Sequence, residues 1–203
     1  MSKFFKVTSF MFFLTLGGVA IASQQWQVIP EKSNVSFLAH STLHEVNGQA
    51  HQLFGNFEQR QNLINGFVDV GITGLKTDDE ARDKAMYKMF EASEYAQIHF
   101  SFENTNISDV LNQRDGLITF LGDMTIHHIS HPVKISSRGW MLGNSLVCEG
   151  QMPISLKDYD LKPPNILGII RVKDVVQVQF RIVFSPKNIQ PPLAEKKGNV
   201  YAG

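Results

Sequence analysis

Apolar and polar residues alternate along most of this chain, which is the pattern of β-strands that place one face on a core. The longest row lies near the C-terminus, where Val176, Val178, Phe180 and Ile182 alternate with polar residues. Shorter rows of the same kind recur at 34–40, 66–72, 98–103, 118–126 and 132–135. About eight such segments, separated by Gly and Pro turn signals, predict an all-β antiparallel barrel or sandwich.

One segment has the spacing of a helix instead. Thr77 and Glu80 form a capping-box pattern, in which each side chain satisfies a free backbone N–H at the start of a helix. Met86, Met89 and Phe90 then follow at helical spacing, so we expect a short amphipathic helix with one apolar face. A single helix laid over a barrel predicts a lid, and a cavity beneath it is the first functional hypothesis.

The two ends of the chain differ from its middle. Lys3 and Lys6 precede an apolar run at 10–21, and Ala-Ile-Ala at 20–22 is a small-residue cleavage site, so we predict a signal peptide over 1–22 with cleavage after Ala22. Because the run is short for a membrane span, we expect no stable membrane insertion after cleavage. The barrel should occupy 23–186, and a polar tail 187–203. These features predict an exported protein, periplasmic in a bacterium with two membranes.

Composition removes several classes of function. Lys and Arg number 19, as do Asp and Glu, so no positive excess is present to bind nucleic acid. Cys148 is the single cysteine, which excludes an internal disulfide; we expect it to be buried on a strand. The sequence leaves open whether the protein forms a homodimer. The 15 Phe residues suit a dry apolar interior, which is either filled by side chains or hollow.

The seven histidines do not have the spacing of a metal site. His40 and His44 would lie about 13 Å apart on a strand, too far to share one ion. His127 and His128 would point to opposite faces of a strand. No nucleophile motif or Gly-rich phosphate loop is present either. We therefore predict no metal, no catalytic residues and no enzymatic activity.

Four short segments, in this order and spacing, resemble the YceI-like family. They are SNVSFLAH at 33–40, TDDEARDKAM at 77–86 with YAQIHFSF at 95–102, LGDMTIHHISHPV at 121–133, and SLKDYDL at 155–161. The GDMTI piece at 122–126 is similar to the GDLT motif of that family. The resemblance runs from about Trp26 to Ser185. This chain departs from the family at Ala85, where the family often has His.

The resemblance implies a lipocalin-like eight-stranded antiparallel barrel around an apolar tunnel. It also implies non-enzymatic binding, transport or storage of an isoprenoid lipid of the quinone or polyprenyl type, or of a similar amphiphile, with no cofactor apart from that lipid. From the strand and helix patterns we predict these lining residues: Val35, Phe37, Val68, Val70, Met86, Met89, Phe90, Ile98, Phe100, Phe102, Ile118, Phe120, Val178, Phe180 and Ile182.

Two residues are candidates for contacting the head group of a ligand, Arg82 on the helix and His40 on a strand. Ordinary roles compete with this hypothesis, because Arg82 would serve equally well in a surface ion pair and His40 as a hydrogen-bonded strand residue. A metal-dependent or enzymatic protein that uses the histidine-rich rim of the barrel is the alternative function.

Overall fold

The computed structural model describes residues 23–41, 45–112, 114–163 and 172–187. The predicted signal peptide and all but the first residue of the predicted tail lie outside these ranges. In the described part the chain forms eleven strands and two helices. The strands are β1 Gln24–Val28, β2 Asn34–Ser41, β3 Glu45–Ala50, β4 Leu53–Arg60, β5 Leu63–Gly71, β6 Leu75–Lys76, β7 Gln97–Asn106, β8 Gly116–Ile126, β9 Ile129–Leu142, β10 Ser145–Ser155 and β11 Val172–Pro186. The helices are α1 Glu80–Met89 and α2 Ser108–Leu111.

The strands close into an antiparallel barrel, which confirms the predicted fold. Eight of them form the ring in the order β1, β4, β5, β7, β8, β9, β10 and β11, and β11 pairs back onto β1. The long strand β11 also pairs with β2, so β1 and β2 lie end to end beside it, separated by a 3-10 turn at Pro30–Lys32. Strands β3 and β4 follow each other in the same way, because β3 pairs with β2 and β4 pairs with β1.

One half of the barrel is filled by large side chains. Trp26 stacks on Phe57 with ring centroids 5.3 Å apart, and Phe57 meets Phe184 edge to face at 4.9 Å. Ile64 and Ile118 are buried among the same core residues. Helix α2 packs against β8 and β9, and its Val110 is buried. We call this the filled half.

Helix α1 lies over the other half, and it begins two residues later than the capping-box pattern predicted. Its N-cap is Asp79, whose carboxylate accepts the Arg82 backbone N–H at 2.9 Å. Thr77 precedes the helix and is buried, because its backbone N–H and hydroxyl both bond to Asp83. The predicted capping box is therefore wrong. Asp79, directly before the helix, is the N-cap, and Thr77 bonds to the Asp83 carboxylate instead.

The dipeptide Asp115-Gly116 is typical of a two-residue hairpin turn, but the structure does not form such a turn there. Strands β7 and β8 are joined by the short helix α2, and Gly116 opens β8 after it. Helix α2 carries Val110 into the core at this end of the barrel, which a two-residue turn could not do. A dipeptide signal shows that the chain turns, but not how many residues the connection uses.

Candidate functional site: an apolar cavity under helix α1

A cavity of about 450 Å³ occupies the half of the barrel under α1, which we call the hollow half. As far as the described residues show, its wall is apolar except at Ser41, Thr77, Asp79 and Arg82. Much of the rest consists of Val, Ile, Met and Ala side chains, and α1 contributes the short side chains of Ala81 and Ala85. These aliphatic side chains occupy less volume than the aromatic rings of the filled half, and space remains between them.

Eight of the predicted lining residues do line this cavity. They are Val35, Phe37, Val70, Met86, Met89, Phe90, Ile98 and Val178. They come from β2, β5, β7 and β11 and from the end of α1, so the structure brings together segments that are far apart in sequence. That any of them contacts a ligand stays a prediction.

The other seven are not among the residues that line this cavity. They are Val68, Phe100, Phe102, Ile118, Phe120, Phe180 and Ile182. Each lies on the same inward face as a lining residue of its strand, but two or more positions further toward the filled half. On β7, for example, Ile98 lines the cavity, whereas Phe100 and Phe102 pack with Phe120 beneath it. The two groups of residues therefore share a face of their strands and differ in depth along the barrel.

Sequence reasoning missed several lining residues. Met124 and Ile126 on β8, and Met152 and Ile154 on β10, face the cavity. They alternate with polar or exposed residues just as the predicted residues do. Only the register of the strands places them at the cavity. Met124 pairs with Phe100 on β7, and Ile154 pairs with the lining residue Val176 on β11.

A network of polar groups fixes the start of α1 at one edge of the cavity. The Asp83 carboxylate accepts the Thr77 backbone N–H at 2.8 Å and the Thr77 hydroxyl at 2.7 Å, and Lys76 Nζ lies 3.6 Å from it. Burial by itself would raise the pKa of this carboxyl, but the two Thr77 bonds and the Lys76 charge outweigh burial and lower the pKa. Asp83 is therefore held as a carboxylate although it is buried.

A second contact holds the middle of the helix. The Tyr87 hydroxyl donates a hydrogen bond of 2.6 Å to the Leu75 carbonyl oxygen in β6. The Lys76 ammonium lies 5.3 Å from the centre of the Tyr87 ring, within range of a cation–π interaction. Helix α1 is thus tied to the β6 segment at two successive turns, and its apolar side faces the cavity.

The two head-group candidates differ in position. Arg82 lines the cavity and is half-buried, and its Nε–H donates to Thr77 Oγ1 at 2.8 Å. His40 does not line the cavity; its Nδ1 lies 3.3 Å from the Glu45 carboxylate, next to it in the β2–β3 pair. Only Arg82 is placed to meet a ligand.

The prediction that His127 and His128 point to opposite faces is wrong. The two residues form the turn between β8 and β9, where His127 has a positive φ of 58°, and their Nδ1 atoms approach to 2.7 Å. His131 lies away from them and bonds the Asp158 carbonyl oxygen at 2.8 Å. Within the described ranges, no three His, Cys, Asp or Glu side chains form a group that could hold a metal ion.

Cys148 is a buried residue of β10, as predicted. Burial raises the pKa of its thiol to about 12, even though a hydrogen bond with Ser137 acts in the opposite direction. A thiol with this pKa carries almost no thiolate at neutral pH, so it is a packing residue rather than a nucleophile.

Comparison with known proteins agrees with this architecture. The family model described as YceI-like domain matches residues 26–184. The chain belongs to the YceI-like family. The match includes the whole barrel apart from the first two residues of β1 and the last two of β11, and therefore the cavity and α1. No curated protein sequence matches the chain significantly.

Solved structures share the YceI-like fold at low sequence identity. A polyisoprenoid-binding domain from Saccharophagus degradans, implicated in plant cell wall breakdown, has a TM-score of 0.69 at 12% identity and covers 80% of this chain and 98% of its own. BcnA of Burkholderia cenocepacia has a TM-score of 0.65 at 16% identity, covering 77% and 98%. The YceI protein of Campylobacter jejuni has a TM-score of 0.56 at 13% identity, covering 73% and 88%. At these identities the likeness shows the fold alone.

The helices of the described segments are short. Neither α1 nor α2 has the length and hydropathy that crossing a bilayer requires.

Proposed function

We propose that this protein binds, transports or stores an isoprenoid lipid, of the quinone or polyprenyl type, or a similar amphiphile, and that it does so without catalysis in the periplasm. The observation that carries the proposal is the apolar cavity of about 450 Å³ under α1. Membership of the YceI-like family supports it, as does the fold shared with a domain described as polyisoprenoid-binding. The predicted signal peptide supports the location.

The size of the cavity limits the part of a chain that it encloses. A methylene group needs about the space of one water molecule, roughly 30 Å³. The cavity of about 450 Å³ therefore holds about 15 carbons, or three prenyl units. A longer chain would extend beyond the wall.

Burial of such a chain supplies enough free energy for useful affinity. At about 0.8 kcal/mol per CH₂, three prenyl units gain up to about 12 kcal/mol. Association costs about 4 to 15 kcal/mol, so at the smallest cost up to about 8 kcal/mol remains, which corresponds to a micromolar Kd. Two prenyl units gain about 8 kcal/mol and would bind only weakly after the same cost.

Native mass spectrometry of the exported protein tests this proposal. We expect a bound mass of one lipid in the wild type, released by organic solvent. Ala85→Trp places an indole in the cavity and should abolish the bound mass, because Ala85 lies on the cavity wall. Lys84→Trp is the matched control. Lys84 is exposed, so this substitution adds the same indole side chain outside the cavity.

Circular dichroism and urea unfolding show whether both variants keep the fold. A wild type without a bound lipid, which also takes up none when mixed with a prenyl lipid, would contradict the proposal. So would equal lipid loading of folded Ala85→Trp and Lys84→Trp variants. A stoichiometric metal in place of a lipid would favour the alternative that uses the histidines, for which no group of described residues provides comparable support.

A further inference from the structure

Among the described residues, charged side chains reach the cavity wall at one place. Of the lining residues in the described ranges, only Asp79 and Arg82 are charged, and both lie at the N-terminal end of α1. The Asp79 carboxylate caps the helix by accepting the Arg82 backbone N–H at 2.9 Å. The guanidinium of Arg82 forms no ion pair with Asp79 or with another carboxylate of the described residues.

The guanidinium is fixed in position by the residues behind it. Its Nε–H donates to Thr77 Oγ1 at 2.8 Å, and the Thr77 hydroxyl approaches Asp83 Oδ1 at 2.7 Å. A hydroxyl has one proton, so Thr77 donates it to the Asp83 carboxylate and accepts from Arg82 with a lone pair. The Lys76 ammonium lies 3.6 Å from Asp83 and offsets that negative charge. Arg82 has no ion-pair partner of its own among the described residues.

The remaining donors of Arg82 have the geometry of an oxyanion site. A guanidinium carries five N–H donors in a plane, and the bond to Thr77 uses one of them. The four on Nη1 and Nη2 lack a hydrogen-bond partner among the described residues. Two parallel N–H groups match the two oxygens of a carboxylate or phosphate, and such charge-assisted pairs are stronger than bonds to neutral acceptors.

We infer that Arg82 holds the acidic head group, a carboxylate or a phosphate, of a single-chain amphiphile whose tail fills the cavity. This inference rests on the proposed function, because it assigns the head group of the same ligand. A neutral head group such as a quinone carbonyl would accept one bond from Arg82 and leave its charge unpaired. The structure therefore favours an acid over a neutral head group of the same chain length.

Calorimetric titration with three ligands that share one fifteen-carbon prenyl chain tests the inference: farnesyl phosphate, farnesoic acid and farnesol. We expect the wild type to bind at least one of the two acids about tenfold more tightly than the alcohol, or better. The acid with the larger preference identifies the head group as phosphate or carboxylate. Equal affinity for all three ligands would overturn the inference and leave the proposed function standing.

Variants of Arg82 test whether this residue causes the preference for an acid over the alcohol. The readout is the ratio of the Kd values for alcohol and acid. Arg82→Gln should bring this ratio close to one, and Arg82→Lys, which keeps the charge without the planar fork, should keep part of it. Lys84→Gln removes the same charge from the exposed side of α1 and should keep the full ratio. A ratio that Arg82→Gln leaves unchanged would overturn the inference.

These experiments distinguish a failure of the proposed function from a failure of the inference about Arg82. If none of the three ligands binds the wild type, both the proposed function and the inference fail. If Arg82→Gln does not fold, the comparison of acid and alcohol on the wild type, together with Arg82→Lys, still decides for or against the inference.

Discussion

The rings of Phe102 and Phe120 meet edge to face with their centroids 4.9 Å apart. Phe100 packs beside both, with centroid distances of 5.8 Å to Phe102 and 6.4 Å to Phe120. The cluster begins next to the cavity wall, because Phe100 follows Ile98 by two residues on β7 and pairs with Met124 on β8, and Ile98 and Met124 line the cavity. The aromatic cluster therefore separates the filled half of the barrel from the hollow half.

Truncation of a side chain should lower the free energy of unfolding more in the filled half than at the cavity wall. Phe102→Ala removes a fully buried ring and should lower the free energy of unfolding by about 3–5 kcal/mol. Met86→Ala removes a half-buried side chain that already borders empty space, so we expect less than half that loss. Urea unfolding of the ligand-free proteins measures both. Equal losses would contradict the division of the barrel into two halves.

The pattern of residues predicted the direction of side chains better than their depth. Alternation with period two shows which residues of a strand share a face, and Phe100, Phe102 and Ile98 do share one. It does not show where along the barrel axis each residue lies. That depends on register, stagger and the position of α1, all of which involve contacts between distant segments. Hence Phe102 was placed on a cavity wall that begins at Ile98.

Local polar patterns were overridden by contacts with other nearby residues. Thr77 has the sequence context of an N-cap, but Asp83 accepts both its N–H and its hydroxyl, and Asp79 caps the helix instead. His127 and His128 continue the alternation of β8, but the chain reverses at them. In each case the competing partner is a short-range neighbour whose geometry the spacing does not reveal. The burial of Cys148 was predictable, because a free cysteine among the apolar residues of a strand is usually buried.

Asp83 should make stability depend on pH in the acid range. Its pKa is lower in the folded protein than in the unfolded chain, where it is about 3.9. The carboxylate therefore stabilises the fold above that value, and this contribution is lost as the pH falls through the lower, folded-state pKa. We expect Asp83→Asn to reduce the free energy of unfolding near neutral pH and to differ less from the wild type in acid.

Urea unfolding across the acid range measures this difference. Glu80→Gln is the control on the same helix, because the Glu80–Lys84 pair is exposed and 3.9 Å long and should contribute no more than about 0.5 kcal/mol. A gap between wild type and Asp83→Asn that stays constant, or widens, as the pH falls would contradict the role assigned to Asp83.

The Cys148 thiol should be inert in the folded protein. Its pKa of about 12 and its burial keep it protonated and out of reach of a disulfide reagent at neutral pH. We expect no reaction with a chromogenic disulfide such as Ellman's reagent until urea unfolds the chain, and then one thiol per molecule. Rapid reaction of the native protein would show that β10 opens or that the thiol is exposed. For the same reason, a disulfide-linked homodimer through Cys148 is not expected.

A series of prenyl alcohols with five, ten, fifteen and twenty carbons, titrated into the wild type by calorimetry, tests most directly whether the hollow half holds a hydrocarbon tail. Affinity should rise steeply with each prenyl unit up to about 15 carbons and then level off, because the cavity of about 450 Å³ is full at that length. Binding that is absent at every length, or that does not depend on length, would contradict the account.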